Sequence, residues 1–108
     1  YFPGLPGHPG HQAIADTAAG FGGMVALELH GGFDACARLL DNLTLFAQAV
    51  SLGDLESLAC HPASTTHAAM TPEDRVRANV TDNLVRLSIG VEDIEDLLAD
   101  LAQALTKV

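Results

Sequence analysis

The run Leu84-Val85-Arg86-Leu87-Ser88-Ile89-Gly90-Val91-Glu92-Asp93 carries two periodicities that meet at a glycine. From Leu84 to Ile89 the pattern alternates. Val85, Leu87 and Ile89 share one face and Leu84, Arg86 and Ser88 the other, which predicts a strand with one face in the core. Beyond Gly90 the period lengthens, and Val91, Ile94, Leu97, Leu98, Leu101 and Leu105 form a helical stripe. Glu92, Asp93, Glu95 and Asp96 load the end where the helix dipole is positive, so Gly90 is expected to open a final helix.

Working outward, Thr71-Pro72-Glu73-Asp74 has a capping hydroxyl, a proline suited to the first helical position and two acids, predicting a short helix to about Asn79. Leu45 to Val50 and Leu55 to Cys60 are short apolar runs around Ser51-Leu52-Gly53-Asp54. They are expected to be strand-like segments flanking a turn. Phe33, Cys36, Ala37 and Leu40 fall at helical spacing with Asp34, Arg38 and Asp41 opposite, predicting an amphipathic helix over about Phe33 to Asn42. Met24 to Leu29 suits a strand, and His11 to Ala19 a helix ended by Gly20, Gly22 and Gly23. Residues 1-10, with three prolines and three glycines, form an irregular lead-in. The expected architecture is α+β: one domain over 11-108, with helices packed on one face of a small, mainly antiparallel sheet.

With 108 residues, the chain has the size of one domain, and 48% hydrophobic residues suit a globular fold. Fourteen acids against five bases give a formal charge of −9, which disfavours nucleic acid and anionic membranes as partners. No apolar run is long enough for a transmembrane helix and no signal pattern opens the sequence, so a cytoplasmic location is expected. Cys36 and Cys60 lack any repeat spacing and are expected to be buried thiols, neither a disulfide framework nor a zinc motif. His8, His11, Cys60, His61 and His67 match no zinc module, and no metal site is expected. Cys60 beside a histidine lacks a third, orienting group for nucleophilic chemistry.

Arg86 is the residue whose chemistry stands out. A guanidinium in an otherwise apolar strand must reach solvent or meet an anion, because burying it unpaired is very costly. Its planar fork matches a carboxylate. Spacing alone leaves open a structural ion pair with one of the acids, a snorkelling edge arginine, or a ligand site. Ser51, in a glycine-containing turn, equally suits a local turn hydrogen bond or a ligand contact.

Three ordered runs narrow these alternatives: Ala49-Val50-Ser51-Leu52-Gly53-Asp54-Leu55-Glu56-Ser57-Leu58, His61-Pro62-Ala63-Ser64-Thr65-Thr66-His67, and Leu84 to Asp93. Together they resemble the C-terminal small domain of the fold-type-I, pyridoxal-phosphate (PLP) dependent enzymes of cysteine and methionine metabolism. This is the cystathionine γ-lyase/γ-synthase family, with the methionine γ-lyases most similar. The resemblance implies that Arg86 binds the α-carboxylate of an amino-acid substrate, that Ser51 lies beside the same carboxylate, and that Val50 flanks the substrate. Cystathionine-processing relatives tend to carry glutamate at the Val50 position, so valine suits a short thioether.

The same resemblance implies a parent enzyme that carries out γ-elimination of methionine-like substrates to a thiol, a 2-oxo acid and ammonia, and that forms a homo-oligomer, a tetramer by resemblance. Cystathionine γ-lyase, cystathionine γ-synthase and O-acylhomoserine sulfhydrylase are the alternatives within the family. A non-catalytic association module is the alternative outside it. The Schiff-base lysine, the acid at the pyridinium nitrogen and the phosphate cradle belong to a large domain that these residues do not include. The only lysine is Lys107, next to the end. The chain is therefore expected to be a fragment that binds no PLP, has no catalytic residue of its own, is inactive alone, and shows an exposed apolar face that favours self-association.

Overall fold

The computed structural model describes all 108 residues, and its centre is the strand that carries Arg86. In chain order the elements are α1 (His11–Thr17), β1 (Met24–Glu28), α2 (Gly32–Asn42), β2 (Ala47–Gln48), β3 (Leu58–Cys60), a 3-10 turn (Pro62–Ser64), α3 (Pro72–Arg77), β4 (Leu84–Ser88) and α4 (Ile94–Leu105). The sheet order is β1-β4-β3-β2. Strand β4 runs antiparallel to both β1 and β3, pairing Arg86 with Ala26 on one side and Cys60 on the other. Strands β2 and β3 are parallel, so the sheet is mixed but mainly antiparallel.

The pleat separates two chemistries. Val85, Leu87 and Ala59 point to the face covered by α2 and α4, where they join Cys36, Leu39, Leu40, Phe46, Leu97 and Ala104 in one apolar cluster. Leu39 and Leu87 are essentially fully buried, each contributing about 1.5–3 kcal/mol through removal from water. The opposite face carries Arg86, Ser88 and Cys60.

Capping follows the sequence at α3, where the Thr71 hydroxyl accepts from the Asp74 N–H and Pro72 holds the first position. The helix ends at Arg77, short of the expected Asn79, because Asn79 turns left-handed at φ 57°.

Two expectations are corrected. The final helix begins at Ile94, with Asp93 accepting from the Glu95 N–H as its cap. Gly90 does not open it: the Gly90 and Val91 N–H groups donate to Ser57 and Leu55 of a neighbouring loop, and Val91 is exposed. The runs Leu45 to Val50 and Leu55 to Cys60 do not pair around a turn. Only Ala47–Gln48 and Leu58–Cys60 are strands, and they run parallel. At the near end Asp100 of α4 takes the N–H groups of Thr44, Leu45 and Phe46, so these residues do not offer them to a ladder, and at the far end Gly53 and Ser57 donate to Ser88 and Glu92 instead.

The apolar stripe of α4 is only half covered. Leu97 is buried, while Ile94, Leu98 and Leu105 are 59%, 52% and 45% exposed along a groove of about 470 Å³ that runs between α4 and the β1 side of the sheet. No helix is long and apolar enough to cross a membrane.

Candidate functional site

Arg86 projects from the middle of the central strand, on the face away from α2 and α4. Its Nη2 donates to the carbonyl oxygens of Val50 (2.9 Å) and Ser51 (2.8 Å). Its Nε is buried and has no partner, while Nη1 reaches solvent and donates to no group of the chain. No carboxylate lies within ion-pair distance. The two ion pairs are Arg75–Asp82 at 2.8 Å and Arg77–Asp74 at 3.1 Å. Arg75 also has a buried, unpartnered Nε, but it has Asp82 to balance its charge. Arg86 has only neutral carbonyls. The structural ion pair that spacing left open is thereby removed; a snorkelling arginine and a ligand site both fit what remains, a partly desolvated cation with uncommitted donors.

The loop over Arg86, residues 49–57, has almost no regular structure, and side chains and turns pin it. Gly53 adopts φ +74°, left-handed and therefore suited to glycine, and its N–H donates to the Ser88 hydroxyl at 2.9 Å. Ser57 is fully buried. Its N–H and hydroxyl donate to the two oxygens of the Glu92 carboxylate at 2.7 and 2.8 Å, and its hydroxyl oxygen accepts the Gly90 N–H at 2.9 Å. The Ser57 N–H, then Glu92's own N–H and the Ser57 hydroxyl hold the Glu92 carboxyl below its usual range. Gly90 has no room for a side chain: an added Cβ would lie 2.7 Å from the Glu56 carbonyl carbon and closer still to the Leu55 oxygen.

The structure thus brings Val50, Ser51 and Arg86 together, but through backbone oxygens. The Ser51 hydroxyl makes no hydrogen bond within the chain. The Val50 side chain is 56% exposed and lines a cavity of about 300 Å³ with Cys60, His61, Ser64 and Thr65. Cys60 sits directly across the ladder from Arg86. Burial pushes its thiol up, opposed by the nearby guanidinium, so it stays protonated at neutral pH. His61 is buried and turned away from that thiol. Its Nε2 faces the Asp82 carbonyl oxygen at 2.9 Å and so carries the proton, which leaves Nδ1 to accept from the Ser64 hydroxyl at 2.8 Å. It is a structural clasp between the 3-10 turn and the approach to β4. His8 and His11 are bound locally, to the Gly10 N–H and the Pro3 carbonyl, and no three His, Cys, Asp or Glu side chains converge as a metal-ligand set.

Sequence reasoning missed Ser57, Ser88, Gly90 and Glu92 as parts of this site. Ser88 had a legible signal, since the strand alternation already places it on the face of Arg86.

Residues 1–106 match the family described as Cys/Met metabolism PLP-dependent enzyme. The chain is 53% identical over its full length to an L-methionine gamma-lyase of Fusobacterium nucleatum subsp. polymorphum, covering 27% of that protein. It is 47% identical over 98% of its length to a cystathionine gamma-lyase of Dictyostelium discoideum, again covering 27% of the relative. Among solved structures, a cystathionine gamma synthase from Xanthomonas oryzae pv. oryzae in complex with cystathionine superposes with a TM-score of 0.92 at 53% identity, over 99% of this chain and 28% of that one. The chain therefore spans about a quarter of the length of the relatives it matches, and with a matching α+β fold it belongs to the PLP-dependent enzymes of cysteine and methionine metabolism.

Proposed function

We propose that this chain is the substrate-carboxylate half of a PLP-dependent carbon–sulfur lyase of the methionine γ-lyase type. The observation that carries the proposal is the Arg86 guanidinium, held by the Val50 and Ser51 carbonyls, paired with no acid, and with Nη1 open to solvent. An amino-acid carboxylate docking there gains a charge-assisted contact and offsets the cost of the buried charge. Fixing the carboxylate fixes the direction of the α-carbon, and that orientation is this domain's contribution to the reaction. The exposed Ser51 hydroxyl adds a second donor beside the same anion. Val50 offers the substrate's far end an aliphatic surface with no group to hydrogen-bond a distal amine or carboxylate, which supports a short thioether over cystathionine.

The residues present do not fit PLP itself. The one lysine, Lys107, is exposed just beyond α4, which packs on the sheet face opposite Arg86. We therefore assign the cofactor's attachment and electron withdrawal to the remaining polypeptide, with residues 11-108 as one substrate-binding unit of a cytoplasmic homo-oligomer.

The test is steady-state kinetics on the full-length enzyme. Arg86→Ala is expected to raise KM for methionine ~100-fold, the loss of about 3 kcal/mol of charge-assisted binding, while the cofactor's visible absorbance is kept. Equal inhibition of the variant and the parent by an unreactive amino acid would overturn the reading. So would a parent enzyme that turns over cystathionine but not methionine, as regards substrate.

A further inference from the structure

We infer that Ser88 and Glu92 are positioning residues: they clamp loop 49–57 onto β4 and the turn after it, and so aim the two carbonyls that set the Arg86 guanidinium. The inference rests on the carboxylate role of Arg86 and adds the device that makes the site preformed.

The loop joins a two-residue strand to a three-residue strand, so ladder bonds do little to order it. Beside the Ala47 N–H bond to Ser57, the Ala49 N–H bond to Ala59 and the two bonds from Arg86 itself, five hydrogen bonds hold it to the segment 88–92. Gly53 N–H reaches the Ser88 hydroxyl, Ser57 donates twice to the Glu92 carboxylate, and Gly90 and Val91 return N–H bonds to Ser57 and Leu55. The spacing matches on both sides. Ser88 lies two residues from Arg86 on the same pleat, and Gly53 lies two residues from Ser51, so strand and loop are joined at two adjacent points. One point is the hydroxyl to Gly53, the other the guanidinium to Ser51. Two points fix a direction where one would leave a swivel.

With the Val50 and Ser51 oxygens held, Nη2 is occupied and the open Nη1 faces outward. Without the clamp a long, flexible arginine must find that pose at each binding event, at an entropic cost. Ser88 is buried, but on the pleat of Arg86, away from the helices, so packing of the helical face does not account for it.

The experiment uses the full-length enzyme with Ser88→Ala, Glu92→Gln, Ser88→Thr and Arg86→Ala. Competitive inhibition constants are measured for an unreactive straight-chain amino acid and for its α-carboxamide, beside KM and kcat for methionine. Ser88→Ala and Glu92→Gln are each expected to raise KM and the amino-acid inhibition constant ~10-fold, a lost hydrogen bond's worth, with kcat within about twofold and the carboxamide constant unmoved. Ser88→Thr, which keeps the hydroxyl, is expected to recover most of the loss.

If Arg86→Ala abolishes the preference for carboxylate over carboxamide while the clamp variants keep it, the clamp is wrong and the arginine's role stands. If Arg86→Ala also keeps the preference, both fall. A drop in kcat with no change in the preference likewise overturns the clamp. Should Ser88→Ala fail to fold, the near-isosteric Glu92→Gln carries the test alone.

Discussion

Asp100 and Thr44 are joined twice, the threonine hydroxyl at 2.7 Å and its N–H at 2.9 Å both donating to Oδ1. Leu45 N–H at 2.8 Å, Gln103 Nε2 at 3.0 Å and, more distantly, Phe46 N–H at 3.4 Å complete a set of donors around a carboxylate that is 3% exposed. Burial alone would favour the neutral acid. The Thr44 hydroxyl, the Leu45 and Thr44 N–H groups and the Gln103 amide outweigh it, and the carboxyl is held down to about 2. A carboxyl lowered on folding contributes stability that is fully present above the ordinary aspartate range, near 4, and is lost as pH falls toward 2.

Asp100→Asn removes that contribution and sets an amide donor against backbone donors. Urea unfolding at neutral pH is expected to show a loss of about 2–3 kcal/mol. Between pH 4 and pH 2 the variant's stability should fall less steeply than the parent's. Parallel pH profiles would show that Asp100 titrates normally in the folded chain.

Gly90→Ala tests the crowding at the turn. Its Cβ would press on the backbone of Leu55 and Glu56, and relieving that contact moves the loop that holds the Val50 and Ser51 carbonyls. A cost of about 1–3 kcal/mol in unfolding free energy is expected, by analogy with overpacked interiors. An unchanged thermal midpoint would mean that the loop gives way without cost.

Leu98→Glu tests the groove beside α4. Leu98 is half exposed among apolar neighbours, and a patch of that kind on the isolated 108-residue chain promotes association. Light scattering over a concentration series should show the parent chain self-associating and the variant shifted toward monomer. Stability should stay within about 0.5 kcal/mol, as for other surface replacements. Identical scattering of the two chains would place association elsewhere.

What the sequence made legible was periodic. Alternation from Leu84 to Ile89 located β4 and the face of Arg86, and the helical stripe located α4, because both signals are local and repeat several times. The fate of Leu45 and Phe46 was not local. Their N–H groups are taken by a carboxylate more than fifty residues on, and no window around them contains Asp100. Gly90 misled for a similar reason. As a breaker before an acidic helix it read as a helix start, whereas its smallness answers to Leu55 and Glu56, brought close only by the tertiary fold. The contact of the Val50 and Ser51 carbonyl oxygens with Arg86 could not be foreseen, since a carbonyl oxygen is common to every residue and leaves no mark in the sequence.

The order β1-β4-β3-β2 also has a meaning in time. The strand in the middle is the last one to be synthesised, so β1 and β3 have no common neighbour until residues 84–88 emerge, and each must wait with an open edge. Closing the sheet joins Met24 to Ser88 across more than sixty residues, a non-local step of the kind that slows folding and exposes a nascent chain to wrong pairings. The strand that completes the sheet also carries the candidate site: until Arg86 is threaded between Ala26 and Cys60, there is neither a finished domain nor the proposed binding surface.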